Sequence, residues 1–210
     1  MAFPVPLTSA LSGATKAQLA YWRRRTRAHP PLLVPSAQIS GRFLYSWADL
    51  VALRSLVYLR QEKSLPRIRK AVAMLQALES EEWEHLAEYR LIRTAKTIVV
   101  WTPRGEIVDL EQVPGAMLDE ILMADVLGPF KSASGRNVPE LRQPKPQLTV
   151  DPAVLGGYPV VSGTRVPYDI VAGLADDGLS DADIVQLYPS VAPSAVSDAL
   201  VFAQDVAATA

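Results

Sequence analysis

The sequence predicts an α+β fold, mainly α, in three parts. Three observations carry this. Short apolar-periodic stretches recur at both ends of the chain, each closed by proline or glycine. In the middle, strand-like residues 91–101 and 106–110 flank Thr102-Pro103-Arg104-Gly105, a good turn sequence. The charge is also segregated. Residues 1–70 hold 12 Lys and Arg against 2 acids, residues 71–147 hold 8 against 12, and residues 148–210 hold one Arg against 8 Asp. The expected divisions are a helix-turn-helix unit at 1–78, a β-hairpin and helix segment at 79–130, a linker at 131–147, and a small trihelical unit at 148–210.

In the first part, residues 7–11 predict a short helix broken by Gly13. Residues 14–24 predict a second, with Leu19 and Trp22 on one face. His29-Pro30-Pro31 ends it, because proline cannot continue a helix. Residues 32–34 and 42–45 predict two short strands joined by a loop at 35–41. Ser46-x-x-Asp49 is an N-cap pattern opening a helix with Leu50, Leu53 and Val57 inward. Ser64 caps the next helix, with Ile68, Val72, Leu75 and Leu78 inward.

The second part begins with an acidic helical stretch at 79–89, followed by the two strands and a helix at 115–127. Residues 131–147 carry Gly135, Pro139, Pro144 and Pro146 and almost no large apolar side chain, so they are expected to stay an open linker. The third part opens with strands at 148–150 and 160–161. A helix at 167–176, with Ile170, Val171 and Leu174 inward, stops at Gly178. Ser180-x-x-Asp183 opens another through Tyr188, and Pro193 suits the first turn of the last, with Val196, Ala199, Leu200 and Ala203 inward.

Composition narrows the function. There is no cysteine, which removes disulfides, thiolate metal sites and cysteine nucleophiles. No apolar run reaches membrane-spanning length, and Met1 to Leu11 lacks a basic signal-peptide region, so a cytoplasmic protein is expected. His29 and His85 lack ligand spacing, and the acids fall in charge runs or at helix starts. Gly156-Gly157 lacks the Lys-Ser/Thr of a phosphate loop. The expectation is a non-enzyme with no metal and no cofactor.

The basic end is more informative. Thr15, Lys16, Gln18, Tyr21, Arg23, Arg24, Arg25 and Arg27 lie in or just after one short helix, with Arg42 on the strand pair. In a major groove, Arg and Gln hydrogen-bond base edges while Lys, Thr and Tyr position phosphates. These nine residues are the candidate DNA contacts. Arg54, Arg60, Lys63, Arg67, Arg69 and Lys70 add positive potential and are expected to be solvated.

Gly156-Gly157-Tyr158-Pro159-Val160-Val161-Ser162-Gly163-Thr164-Arg165-Val166-Pro167 is the densest motif. Glycine permits φ above zero and proline fixes φ, so it specifies a shaped, tight backbone. Gly156, Gly157, Pro159, Gly163, Thr164, Arg165 and Pro167 are its candidate structural or partner-contact residues. Arg165, the lone cation of the third part, either hydrogen-bonds carbonyls of its own loop or meets a partner; the first is favoured.

Two resemblances are visible. Residues 7–78 resemble the MerR-type winged helix-turn-helix, through Leu19 and Trp22, Leu32-Leu33-Val34-Pro35, Arg42-Phe43-Leu44-Tyr45-Ser46-Trp47-Ala48-Asp49-Leu50 and Ser64-Leu65-x-x-Ile68. Residues 148–203 resemble a small helical domain of uncharacterised function marked by Gly-Gly-x-Pro-Val-x-x-Gly-Thr-Arg-x-Pro. Proteins joining such domains are similar to VapB-type antitoxins. The resemblance implies a homodimer that binds a PIN-domain ribonuclease toxin and represses its own operon on operator DNA. The alternatives are a free-standing MerR-like transcription regulator, with residues 79–130 as sensor or dimer module, and an enzyme using that middle segment.

Overall fold

The computed structural model describes residues 2–27, 29–78, 90–93, 98–101, 107–109 and 123–209. The fold is mixed α and β, with small antiparallel sheets. The chain begins β1 (Phe3–Pro4), α1 (Val5–Ser12), α2 (Lys16–Trp22), β2 (Ala37–Ile39), β3 (Arg42–Tyr45), α3 (Trp47–Leu59) and α4 (Leu65–Leu78). β3 is the middle strand of the sheet β1-β3-β2, with Phe3 opposite Tyr45 and Ile39 opposite Arg42.

The strand expected at 32–34 does not form, and the pairing strand lies at 37–39, inside the expected loop. Leu32 and Leu33 are buried, and their N–H groups both donate to Trp22 O, so this apolar run anchors the chain to the core. The hairpin is set instead by Ser40 and Gly41, at φ 48° and 77°, a two-residue turn whose twist matches the strands.

α1 ends at Gly13, in the left-handed region at φ 79°. A Cβ there would run into Val138 Cγ2. α3 opens as expected: Ser46 Oγ accepts from Asp49 N (3.0 Å) and Asp49 Oδ2 accepts from Ser46 N (2.8 Å). The same Oδ2 accepts from Ser36 N (3.0 Å), so one buried carboxylate caps α3 and fixes the loop before the hairpin.

Arg54, expected on the surface, is fully buried inside α3. Nη1 donates to Leu11 O, Nε to Val126 O, and Nη2 to Leu127 O, Gly128 O and Pro139 O. Its guanidinium lies 5.0 Å from the centre of the Phe130 ring. Burial pushes Arg54 down to about 9, with Glu140 opposing, so it stays charged at neutral pH. Five backbone carbonyls thus converge on one guanidinium, three of them sharing the two N–H bonds of Nη2.

β4 (Arg90–Arg93), β5 (Ile98–Trp101) and β6 (Ile107–Asp109) form an antiparallel sheet in that order. The single strand expected at 91–101 is therefore two, with Arg93 opposite Ile98. Thr94-Ala95-Lys96-Thr97 separates two apolar runs that are each long enough to pair. α5 (Met123–Leu127) is the end of the helix expected at 115–127. The rest of that helix, the helix expected at 79–89 and the turn at 102–105 lie outside the described residues.

Residues 131–147 are packed rather than an open linker. β7 (Phe130–Lys131) pairs with β8 (Asn137–Val138), and Val138, Leu141 and Pro144 are buried. Leu141 N donates to Leu127 O (2.7 Å) and Val150 N to Arg142 O (2.8 Å). The few apolar side chains suffice because they enter a surface that other elements have already built.

The chain continues with β9 (Leu148–Thr149), a single 3₁₀ turn (Leu155–Gly157), β10 (Val160–Val161), α6 (Tyr168–Asp176), α7 (Asp181–Leu187) and α8 (Pro193–Ala208). β9 and β10 pair antiparallel, and the Ser180–Asp183 capping box opens α7. α6 buries Tyr168, Val171 and Ala172, spaced to face α8, so Ile170 points outward at 45% exposure, contrary to expectation.

The hydrophobic core is continuous from Phe3 and Leu7 to Ala199 and Phe202. α8 lies against α1, and Thr209 Oγ1 donates to Pro6 O (3.0 Å). Phe3 meets Tyr158 at 6.5 Å between ring centres, and Tyr168 meets Phe202 edge-on at 4.8 Å. Gly157, at φ 85°, leaves room for Trp47: a Cβ would sit 2.9 Å from Trp47 Cε3.

Two stability predictions follow from this packing. Arg54→Met strands the five carbonyls and is expected to cost about 3–5 kcal/mol, lowering Tm by roughly 10 °C. Thermal unfolding followed by circular dichroism measures it, and an unchanged Tm contradicts the role given to Arg54. Gly157→Ala forces a side chain into left-handed backbone against Trp47 and is expected to cost about 2 kcal/mol by urea titration. Gly163→Ala, with an equally positive φ but open space around it, is expected to cost less.

Candidate nucleic-acid interface

α1 and α2 are joined by Gly13, Ala14 and Thr15. Ser9 Oγ donates to Ala14 O (2.6 Å), and Ala14 N donates to Ser12 Oγ (3.2 Å), so the short turn is held by side chains on α1. Leu19 and Trp22 fix the inner face of α2 in the core.

Thr15 and Gln18 form a reciprocal capping box. Gln18 N donates to Thr15 Oγ1 (3.1 Å) and Thr15 N donates to Gln18 Oε1 (2.8 Å). Their first job is therefore to start α2. What each has left to offer another molecule is the Thr15 hydroxyl proton and the Gln18 amide nitrogen. The pattern Thr-x-x-Gln was readable in the sequence as a helix start.

The remaining candidates divide by position. Tyr21, Arg24, Arg25, Arg27 and Arg42 are exposed, and Lys16 is half-buried. Arg23 is also half-buried, its guanidinium stacked 4.0 Å from the centre of the Phe43 ring, which ties the end of α2 to β3. Beneath this contact Tyr45 is buried; burial pushes its hydroxyl up, and the Arg23 charge opposes that. The segment carrying Arg24, Arg25 and Arg27 is closed by Thr26, whose N donates to His29 O (3.0 Å) and whose Oγ1 accepts from His29 N (3.0 Å).

Between α2 and the hairpin runs a groove of about 690 Å³. Ala17 and Ala20 of α2, Arg23 and Arg24 just after it, and Val34 and Phe43 line it. Small side chains on the exposed face of α2 let another molecule approach the helix closely, beside the positive charge of Arg23 and Arg24. Val34 and Phe43 were missed as groove residues because only the folded chain brings them beside α2. Arg42 sits at the hairpin tip opposite the exposed Ile39.

The Gly/Pro motif forms a second surface. Val161 N donates to Val166 O (2.9 Å) and Thr164 N to Val161 O (3.0 Å), making a tight turn after β10. Thr164 Oγ1 donates to Val161 O (2.9 Å) and accepts from Val166 N (2.9 Å). Gly156 and Gly163 are exposed with positive φ, Gly157 and Pro159 are buried, and Pro167 is the N-cap of α6. Arg165 is exposed and makes none of the carbonyl hydrogen bonds expected of it. Thr164 already satisfies the turn, which leaves the arginine outside. Tyr158 OH donates to Asp169 Oδ2 (2.8 Å), and burial, aided by Asp169 and Tyr168, pushes the Tyr158 hydroxyl well above its ordinary range.

Among the described residues, no group of three or more His, Cys, Asp or Glu is arranged to hold a metal, and no helix is long and apolar enough to cross a membrane.

Comparison with known proteins places part of the chain. The family described as Protein of unknown function (DUF433) matches residues 148–203. An uncharacterized protein, y4eO of Sinorhizobium fredii, is 34% identical over 86 residues, which are 40% of this chain and 38% of that protein. The chain thus spans well under two thirds of that relative's length. The crystal structure of Rv2018 from Mycobacterium tuberculosis is similar at a TM-score of 0.52 over 94% of this chain and 96% of that one, at 14% identity. That likeness is one of fold.

If the arginines after α2 meet phosphates, replacing Arg24 and Arg25 with alanine removes two counterion-releasing contacts. Affinity for double-stranded DNA is expected to fall, and the slope of log K against log salt to flatten by about 2. Fluorescence anisotropy across a salt series measures both. An unchanged affinity and slope would move the DNA face elsewhere.

Proposed function

We propose that this protein is a cytoplasmic, homodimeric antitoxin and autorepressor. Its first unit binds operator DNA and its C-terminal unit binds a PIN-domain ribonuclease toxin. The observation that carries the reading is the separation of surfaces. Exposed cations gather on the segment after α2 and at the hairpin tip, whereas the last three helices expose acids.

The order α1, glycine turn, α2, β-hairpin supports a winged helix-turn-helix in which α2 enters the major groove and the hairpin reaches a flanking phosphate. The C-terminal trihelical unit has a helix-turn-helix outline as well, but its middle helix, α7, exposes Asp181 and Asp183 and would be repelled by phosphates. Exposed Ile170, Leu187 and Val201 offer apolar contacts there instead. Acidic charge around apolar contacts complements a basic protein surface such as the RNA channel of a nuclease. Arg165, free of the hydrogen bonds expected within its loop, is available to the same partner. The choice of a PIN-domain toxin rests on the resemblance of the two joined domains to VapB-type antitoxins.

The test is a tagged pull-down from the native host, with nuclease-treated and untreated eluates read by mass spectrometry. A stoichiometric PIN-domain protein that survives nuclease treatment is expected. Recovery of DNA alone would make the free-standing regulator the better account.

A further inference from the structure

Tyr21, near the end of α2, also lines a second, open-mouthed cavity of about 340 Å³. That is within the range of small-molecule sites. Tyr21, Leu32, Leu65 and Val72 give it apolar walls, and Pro30, Pro31 and Pro66 stiffen the segments that form them. A cavity walled this way is largely pre-formed, so little ordering entropy opposes a ligand.

Its described lining also carries two cations. Among the described residues Arg69 and Lys70 line it with charge, and His29 stands beside them. Arg69 is held in place: its guanidinium lies 5.3 Å from the centre of the Tyr21 ring and Nη1 donates to Pro30 O (3.2 Å). That bond uses one of five N–H donors. Lys70 is exposed at the rim. A bare phosphate would use the cations and waste the apolar walls, whereas a neutral apolar molecule would do the reverse.

We propose that this cavity binds a small organic anion with a flat apolar body and one acidic head, the body between Tyr21 and Leu65 and the head against Arg69 and Lys70. The proposal does not rest on DNA binding, because its readout contains no DNA. Occupation would place negative charge beside Tyr21, at the end of α2.

The test uses the full chain and two fluorescent probes of nearly the same body, the anion 8-anilinonaphthalene-1-sulfonate and the neutral N-phenyl-1-naphthylamine. One saturable site per chain for the anion is expected. Lys70→Glu, a change at an exposed side chain, is expected to weaken it roughly five- to tenfold while changing the neutral probe less than about twofold. Leu65→Trp, which fills the cavity, is expected to abolish saturable binding of both, with Tm recorded to confirm folding. Absence of a saturable site, or anion binding unchanged by Lys70→Glu, would overturn the proposal.

Discussion

A single buried guanidinium organises the middle of this molecule. Among the described residues Arg54 makes no ion pair, and Glu140 acts on it only at longer range; its charge is met by five backbone carbonyls from the end of α1, from the end of α5 and the residues after it, and from Pro139. Each of these carbonyls lies at or near the end of an element, where intrahelical or ladder partners have run out. Removing water from such groups is costly unless a donor replaces it. One side chain therefore ties together the end of α1, the end of α5 and the segment that returns at Pro139. α2 is aimed by the turn that follows α1, so the basic face of the first unit depends on the same junction.

The second constraint is the shared core. Phe3, Trp47 and Gly157 bring the start of the chain, the start of α3 and the Gly/Pro motif into contact, and α8 closes over α1. The basic and acidic surfaces are thus held at fixed positions on one body rather than on two domains joined by a tether. On the proposed function this geometry matters, because a protein bound at the acidic end would sit at a defined place relative to bound DNA.

What was legible in the sequence was local. The Ser46–Asp49 and Ser180–Asp183 caps, the break at Gly13, the hairpin strand at 42–45 and the proline-led last helix each depend on residues within one turn of each other. What was not legible was long-range. The partners of Arg54 lie 43 to 85 residues away along the chain, so nothing near it distinguishes it from a solvated arginine. Residues 131–147 look too polar to order themselves, and they do not; Val138, Leu141 and Pro144 enter surfaces supplied by others. Leu32 and Leu33 look like a strand but spend their apolar surface on the core, and the true strand at 37–39 is marked only by its turn. In the candidate site, the cluster of arginines and the Thr15-x-x-Gln18 capping pattern were open to reading, while the commitment of Arg23 to Phe43 emerged only from the folded geometry.

The central claim is that DNA engages the face built by α2, the segment after it and the hairpin tip, and not the C-terminal helices. Hydrogen–deuterium exchange of the full chain with and without double-stranded operator DNA tests it most directly. Protection gathered in residues 16–27 and 37–43, with residues 168–208 unchanged, is the result this account predicts. Protection confined to the C-terminal helices, or no protection in either region at saturating DNA, would contradict it.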